Sequence, residues 1–176
     1  NPLYIKTPEI VQEQMDKFAE LTGRRYNLVD YVGDPNAENV IVAMGSAVDT
    51  IEETLAHLPA GLGLLKIHLY RPFPAAAFMA AMPKTVKRIA VLDRTKEPGA
   101  LGEPLYQDVK TIVGDSAQVF GGRYGLGSKE FKPRDVKAVY ENLMRGELKH
   151  NFTVGIEDDL TGLSLKTDPA FAVEDP

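Results

Sequence analysis

The sequence predicts an α/β domain in three layers: a mainly parallel, five-stranded sheet with helices on both faces. Three observations carry this. Five apolar runs of strand length recur between residues 39 and 156. Segments with helical spacing alternate with them, several opening on proline and one closing on glycine. The runs are largely continuous rather than alternating, as strands buried on both faces must be, and a βαβ alternation implies parallel strands.

Taken in order, Thr7 and Pro8 offer an N-cap and a first helical residue, with Glu9 in the first turn. Ile10, Val11, Gln14, Phe18 and Leu21 follow at helical spacing up to Gly23. "RRYNLVDYVGDPNAE" has no clear period and reads as a connecting segment with an Asp34-Pro35-Asn36 turn. "NVIVAMG" (39–45) is the first strand. Ser46 is placed to cap a helix from Ala47 to Leu58, with Asp49 at its third position. "LLKIHLY" (64–70) is the second strand and "PAAAFMAAM" (74–82) a short helix. "RIAVLDR" (88–94) is the third strand and "EPLYQDVKTIV" (103–113) a helix with an early proline. "AQVFGG" (117–122) is the fourth strand, "PRDVKAVYENLMRG" (133–146) a helix, and "NFTVGI" (151–156) the fifth strand. The expected organisation is an N-terminal helix and linker from a preceding domain over 1–36, the α/β domain over 37–156, and an acidic tail over 157–176. No internal repeat is evident.

Composition excludes several function classes. The 176 residues are 44% hydrophobic and contain no cysteine. Disulfides, a cysteine nucleophile and cysteine-ligated iron–sulfur clusters are therefore excluded within this chain. The absence of cysteine also fits a reducing compartment, and the expected location is cytoplasmic. There is no apolar run long enough to span a membrane and no signal-peptide pattern. Six of the 25 acids and one of the 20 bases lie in 157–176, so the rest of the chain is balanced. Such a balance gives no nucleic-acid footprint. The first residue is not Met and "AFAVEDP" closes no element, which reads as a domain cut from a longer polypeptide.

In an open α/β sheet, ligands bind beyond the carboxyl ends of the strands. Gly45 and Ser46 follow the first strand; a capped tight turn competes there with an anion site, since neither a Gly-x-Gly-x-x-Gly nor a P-loop is present. Arg71, ahead of Pro72, follows the second and suits an ion pair or domain contact as well as a phosphate or carboxylate. Asp93, Arg94, Lys96 and Glu97 follow the third, in "VLDRTKEPGALGEPL". Their mixed signs favour a salt-bridged contact surface over a pocket for one anion. Arg123 sits in a glycine-rich loop, "GGRYGLGSKEF", after the fourth. His57, His68 and His150 show no helical metal-site spacing, and no Gly-x-Ser-x-Gly supports Ser46 as a nucleophile. On these residues alone no catalytic or metal-binding set is assigned. Gly45, Ser46, Arg71, Asp93, Arg94, Lys96, Glu97 and Arg123 remain as ligand or interface residues.

The segments "VIVAMGSAVDTIEETLAHL", "KIHLYRPFP", "IAVLDRTKEPGALGEPLYQDV", "GGRYGLGSKEF" and "HNFTVGIEDDLTGLSL" together resemble the second domain of the pyruvate:ferredoxin (flavodoxin) oxidoreductases. "DRTKEPGALGEPL" is the most specific of them, and the resemblance runs through nearly the whole chain. It implies a fold like the transketolase C-terminal domain. It implies a large, usually homodimeric parent enzyme that uses thiamine diphosphate, magnesium, [4Fe–4S] clusters and CoA, and passes electrons to ferredoxin or flavodoxin. None of these cofactors is expected on this chain. Its implied role is structural, with the other domains and the homodimer partner as its contacts; no nucleic acid or membrane is expected. An anion- or CoA-binding module at the strand carboxyl ends is the alternative, and a small hydrolase using Ser46 a third reading.

Overall fold

Six strands rather than five form one sheet among the residues that the computed structural model describes, 2–173. Glu174 and Asp175 of the acidic tail lie outside these residues. The chain runs through α1 (Pro2–Thr22), β1 (Val29–Gly33), β2 (Asn39–Met44), α2 (Ala47–Leu55), β3 (Leu62–Ile67) and α3 (Ala75–Ala81). It continues through β4 (Arg88–Asp93), α4 (Pro104–Val113), β5 (Gln118–Arg123), α5 (Pro133–Met144) and β6 (Phe152–Thr153). The strand order is β1-β3-β2-β4-β5-β6. All neighbours are parallel except β1, which lies antiparallel on β3 with Tyr31 opposite Leu65.

The extra strand is β1, inside the stretch expected to be a connecting segment. Only Val29 in it is buried, and its three central residues are half-covered. A five-residue edge strand of that kind carries neither an apolar run nor a clean alternation. Its pairing comes from the partner strand rather than from its own pattern. The second strand ends at Ile67, three residues early, because His68 turns away from the sheet and its N–H, like that of Leu69, donates to the Leu28 carbonyl.

Helices cover both faces. α2 and α5 pack with Ile41, Ala43, Leu64, Ala90 and Leu92 on one face. Phe78 of α3 and Leu105, Val109 and Val113 of α4 pack with Val40, Val42, Leu65, Ile89 and Val91 on the other. Adjacent residues of β2 and β4 thus point into opposite cores, which explains why both read as unbroken apolar runs.

Two helix starts differ from expectation. α1 begins at Pro2, so Pro8 lies inside it, and the Thr7 hydroxyl donates to the Leu3 carbonyl instead of capping. Pro8 is the seventh residue of the helix, so its missing N–H leaves the Tyr4 carbonyl without the i→i−4 bond and its ring crowds that carbonyl. No residue of α1 is buried. Ser46 precedes α2 but is itself in helical conformation and makes no side-chain cap bond. A capping serine needs extended backbone for its oxygen to reach the N–H groups two or three residues on.

Candidate functional site

β2 lies inside the sheet, with β3 on one side and β4 on the other. The chain goes from β2 to β3, then returns past β2 to β4. The strand order therefore reverses between β2 and β4, and the crevice outside their carboxyl ends is where such folds place ligands. Gly45 and Ser46 leave the end of β2, while Asp93 and Arg94 leave the end of β4.

Asp93 is buried at the end of β4, 2% exposed. Its carboxylate accepts the N–H of Leu105 at 3.0 Å and of Tyr106 at 3.1 Å. These are early N–H groups of α4, so Asp93 acts as an N-cap from a distant strand; Glu103, next to the helix in sequence, makes no cap bond. Burial pushes the Asp93 carboxyl above its ordinary value, opposed by the two amides and assisted by the charges of Glu103 and Asp108.

Glu103 is also buried and organises the loop between β4 and α4. It pairs with the Nε of Arg123, which is itself buried at the end of β5. It accepts the backbone N–H of Glu97 at 2.7 Å, and the Lys96 ammonium stands 3.8 Å from it. Arg123 further donates to the Asn151 carbonyl at 2.9 Å. Four of the expected site residues, Asp93, Lys96, Glu97 and Arg123, thus converge on the framework around α4. Glu97 enters through its backbone, and Lys96 also donates to the Glu97 carbonyl. Glu103 had been read only as the opening of a helix; its position within a charged loop between two glycines and a proline was the available signal.

Arg71 stands apart. It pairs with Asp108 of α4 at 2.8 Å and stacks on Tyr70, 3.8 Å from the ring centroid. Arg71 is half-exposed at its side chain, where such a pair contributes little to stability.

Ser46 and Arg94 share an open cleft of about 550 Å³ with Asp49, Thr50, Tyr124, Gly125 and Lys129. Gly45 forms the turn before it and is not part of its lining. Arg94 crosses Gly125, where a Cβ would meet its Nε at 2.8 Å. Gly125 also has φ +62°, so both its backbone and its missing side chain suit the position.

His150 sits behind the loop. Its Nδ1 accepts the Gly121 N–H at 3.2 Å, and the rings of Tyr106 and Phe120 flank it. Burial and the Arg123 charge hold its pKa below the ordinary 6.5. The unfolded chain therefore takes up the proton first as pH falls, and the His150 contribution to stability is lost from that value downward. Denaturation at about pH 7.5 and about pH 5.5 should show a loss that His150→Gln, which keeps an acceptor, reduces. An equal loss in both proteins would contradict this.

The donor set does not suit a metal cofactor. A [4Fe–4S] cluster is held by thiolates, and the chain has no cysteine. Among the described residues no group of three or more His, Asp or Glu side chains could hold a metal ion. Nor is any helix among them long and apolar enough to cross a membrane.

Residues 37–136 match the family model described as pyruvate:ferredoxin oxidoreductase core domain II. The chain is 56% identical over 172 residues to a pyruvate:ferredoxin oxidoreductase of Moorella thermoacetica, covering 94% of the chain and 15% of that protein. It is 52% identical over 183 residues to a pyruvate-flavodoxin oxidoreductase of Trichormus variabilis, covering 99% of the chain and 15% of that protein. A pyruvate-flavodoxin oxidoreductase of Rhodospirillum rubrum is 51% identical over 189 residues, with 99% of the chain and 16% of that protein covered. The chain thus spans about 15% of the length of these relatives.

Proposed function

The chain belongs to the family of pyruvate:ferredoxin oxidoreductase core domain II, and from that membership we propose that it serves as a non-catalytic assembly domain of such an enzyme. The parent would convert pyruvate and CoA to acetyl-CoA and CO2. Thiamine diphosphate with magnesium and [4Fe–4S] clusters would be held by its other domains, and ferredoxin or flavodoxin would take the electrons. The sheet, with one antiparallel edge strand, is compatible with a transketolase C-terminal-like topology. The parent is taken as a cytoplasmic homodimer.

The observation that carries the assembly role is α1. It leaves Ile5 77%, Leu21 86% and Tyr4 57% exposed. Uncovered apolar side chains in such a helix mark a contact surface. The occupant we assign is another domain of the same polypeptide, because about 85% of the length of the relatives lies outside the matched region. The loop after β4 supports the same role: its buried charges already satisfy one another and leave no free acid–base pair.

The test uses the full-length polypeptide. Arg71→Ala and Lys96→Ala should leave turnover per folded dimer unchanged, whereas Leu21→Asp should lower the melting temperature and turnover together. A variant at Arg71 or Lys96 that keeps dimer mass and melting temperature yet abolishes pyruvate oxidation would overturn the non-catalytic reading.

A further inference from the structure

We propose that the cleft between the ends of β2 and β4 binds a small organic phosphate that carries hydroxyl groups. Arg94 and Lys129 line it, and neither side chain makes an ion pair or hydrogen bond among the described residues. Their neighbours differ. Lys96 lies within 3.8 Å of Glu103, Arg123 is bound by it, and Lys132 pairs with Glu130 at 3.0 Å.

Arg94 is nevertheless held in place. The buried carboxylate of Asp93 anchors the preceding residue to α4, and Gly125 provides the space that the guanidinium stem fills. Tyr124, 7% exposed, lines the same cleft and packs on Phe131 at 4.7 Å between ring centroids. This exposed guanidinium is positioned from two sides and forms no ion pair, which leaves it open to a ligand's anion, and its fork matches phosphate oxygens.

The opposite wall has a different chemistry. Ser46 and Thr50 of the α2 wall make no side-chain hydrogen bond through their hydroxyls, and Asp49 and Glu53 line the same side. Carboxylates there accept hydrogen bonds from ligand hydroxyls. One wall carries Arg94 and Lys129 beside the Lys132–Glu130 ion pair and the other is accepting, and the volume, about 550 Å³, suits a body larger than a bare anion. A phosphorylated polyhydroxy compound satisfies both walls. The reversal of strand order between β2 and β4 puts the cleft where this class of sheet receives ligands.

Ribose 5-phosphate is the probe, titrated calorimetrically into the 176-residue chain beside inorganic phosphate. Saturable binding is expected for the sugar phosphate, tighter than for phosphate alone. Arg94→Gln should weaken it about tenfold or more, the cost of losing a charge-assisted contact. Lys129→Gln should weaken it by a smaller factor, and Arg71→Gln, outside the cleft, should leave it unchanged. Absence of saturable binding at on the order of 10 mM ligand, or binding indifferent to Arg94→Gln, would overturn the proposal. Equal affinity for phosphate and ribose 5-phosphate would reduce the site to an adventitious ion only. An acidic segment of the parent polypeptide seated on Arg94 in the full-length protein would also overturn it. None of these outcomes bears on whether α1 mediates assembly.

Discussion

Glu103→Ala is expected to destabilise the folded chain by about 3–5 kcal/mol, the usual cost of removing one partner of a buried ion pair. The side chains of Glu103 and Arg123 are 2% and 7% exposed, so water cannot replace the lost carboxylate. The substitution strands the Arg123 guanidinium and also frees the Glu97 N–H. Urea denaturation followed by circular dichroism measures the loss, and Arg123→Ala should cost a similar amount. The double variant Glu103→Leu/Arg123→Met should lose less than either alone, since no unpaired charge remains buried. A loss below about 1 kcal/mol for Glu103→Ala would place the pair among ordinary surface bridges and refute the argument.

The second large effect is at the same end of β5, one residue before Arg123. Phe152 is fully buried, and its ring lies against Gly122, where a Cβ would stand 2.2 Å from the ring. Phe152→Ala should cost about 3–5 kcal/mol through lost transfer energy and the cavity left behind. Gly122→Ala should cost about 1–3 kcal/mol by overfilling the same space. Because one change empties what the other fills, the double variant should be more stable than the sum of the two losses implies. Strict additivity in the measured unfolding free energies would show that the two residues do not share a packing site.

Much of this architecture is legible in the sequence where one local cause dominates. The runs at 39–45, 88–94 and 117–122 are apolar enough to be strands, and β2, β4 and β5 lie within a residue or two of them. The prolines at 104 and 133 mark helix starts because φ is preset and the missing N–H costs nothing there. What escaped depends on distant partners. β1 exists because β3 offers an edge. Asp93 caps a helix twelve residues away, a bond no local pattern reveals. Ser46, which fits a cap by its neighbours, has the wrong backbone for one. In the charged stretch after β4, sequence shows the mixed signs but not their sorting: Asp93 and Glu103 turn inward, while Arg94 is left in the cleft.

The β6 margin of the sheet is closed. Beyond β6, Thr153 exchanges backbone bonds with Leu163 and Leu165, and Leu165 is buried in the core. Ahead of β1, Gln12 of α1 occupies the backbone of Tyr26 and Leu28. Strand-by-strand recruitment of a second molecule, the common route to runaway aggregation of exposed sheets, therefore has little free backbone on which to start at the β6 margin. Across that margin, larger assemblies containing this domain are joined through side chains, contacts that can be specified residue by residue. A sheet shared between chains would offer less discrimination among partners, since a main-chain ladder is the same for every sequence.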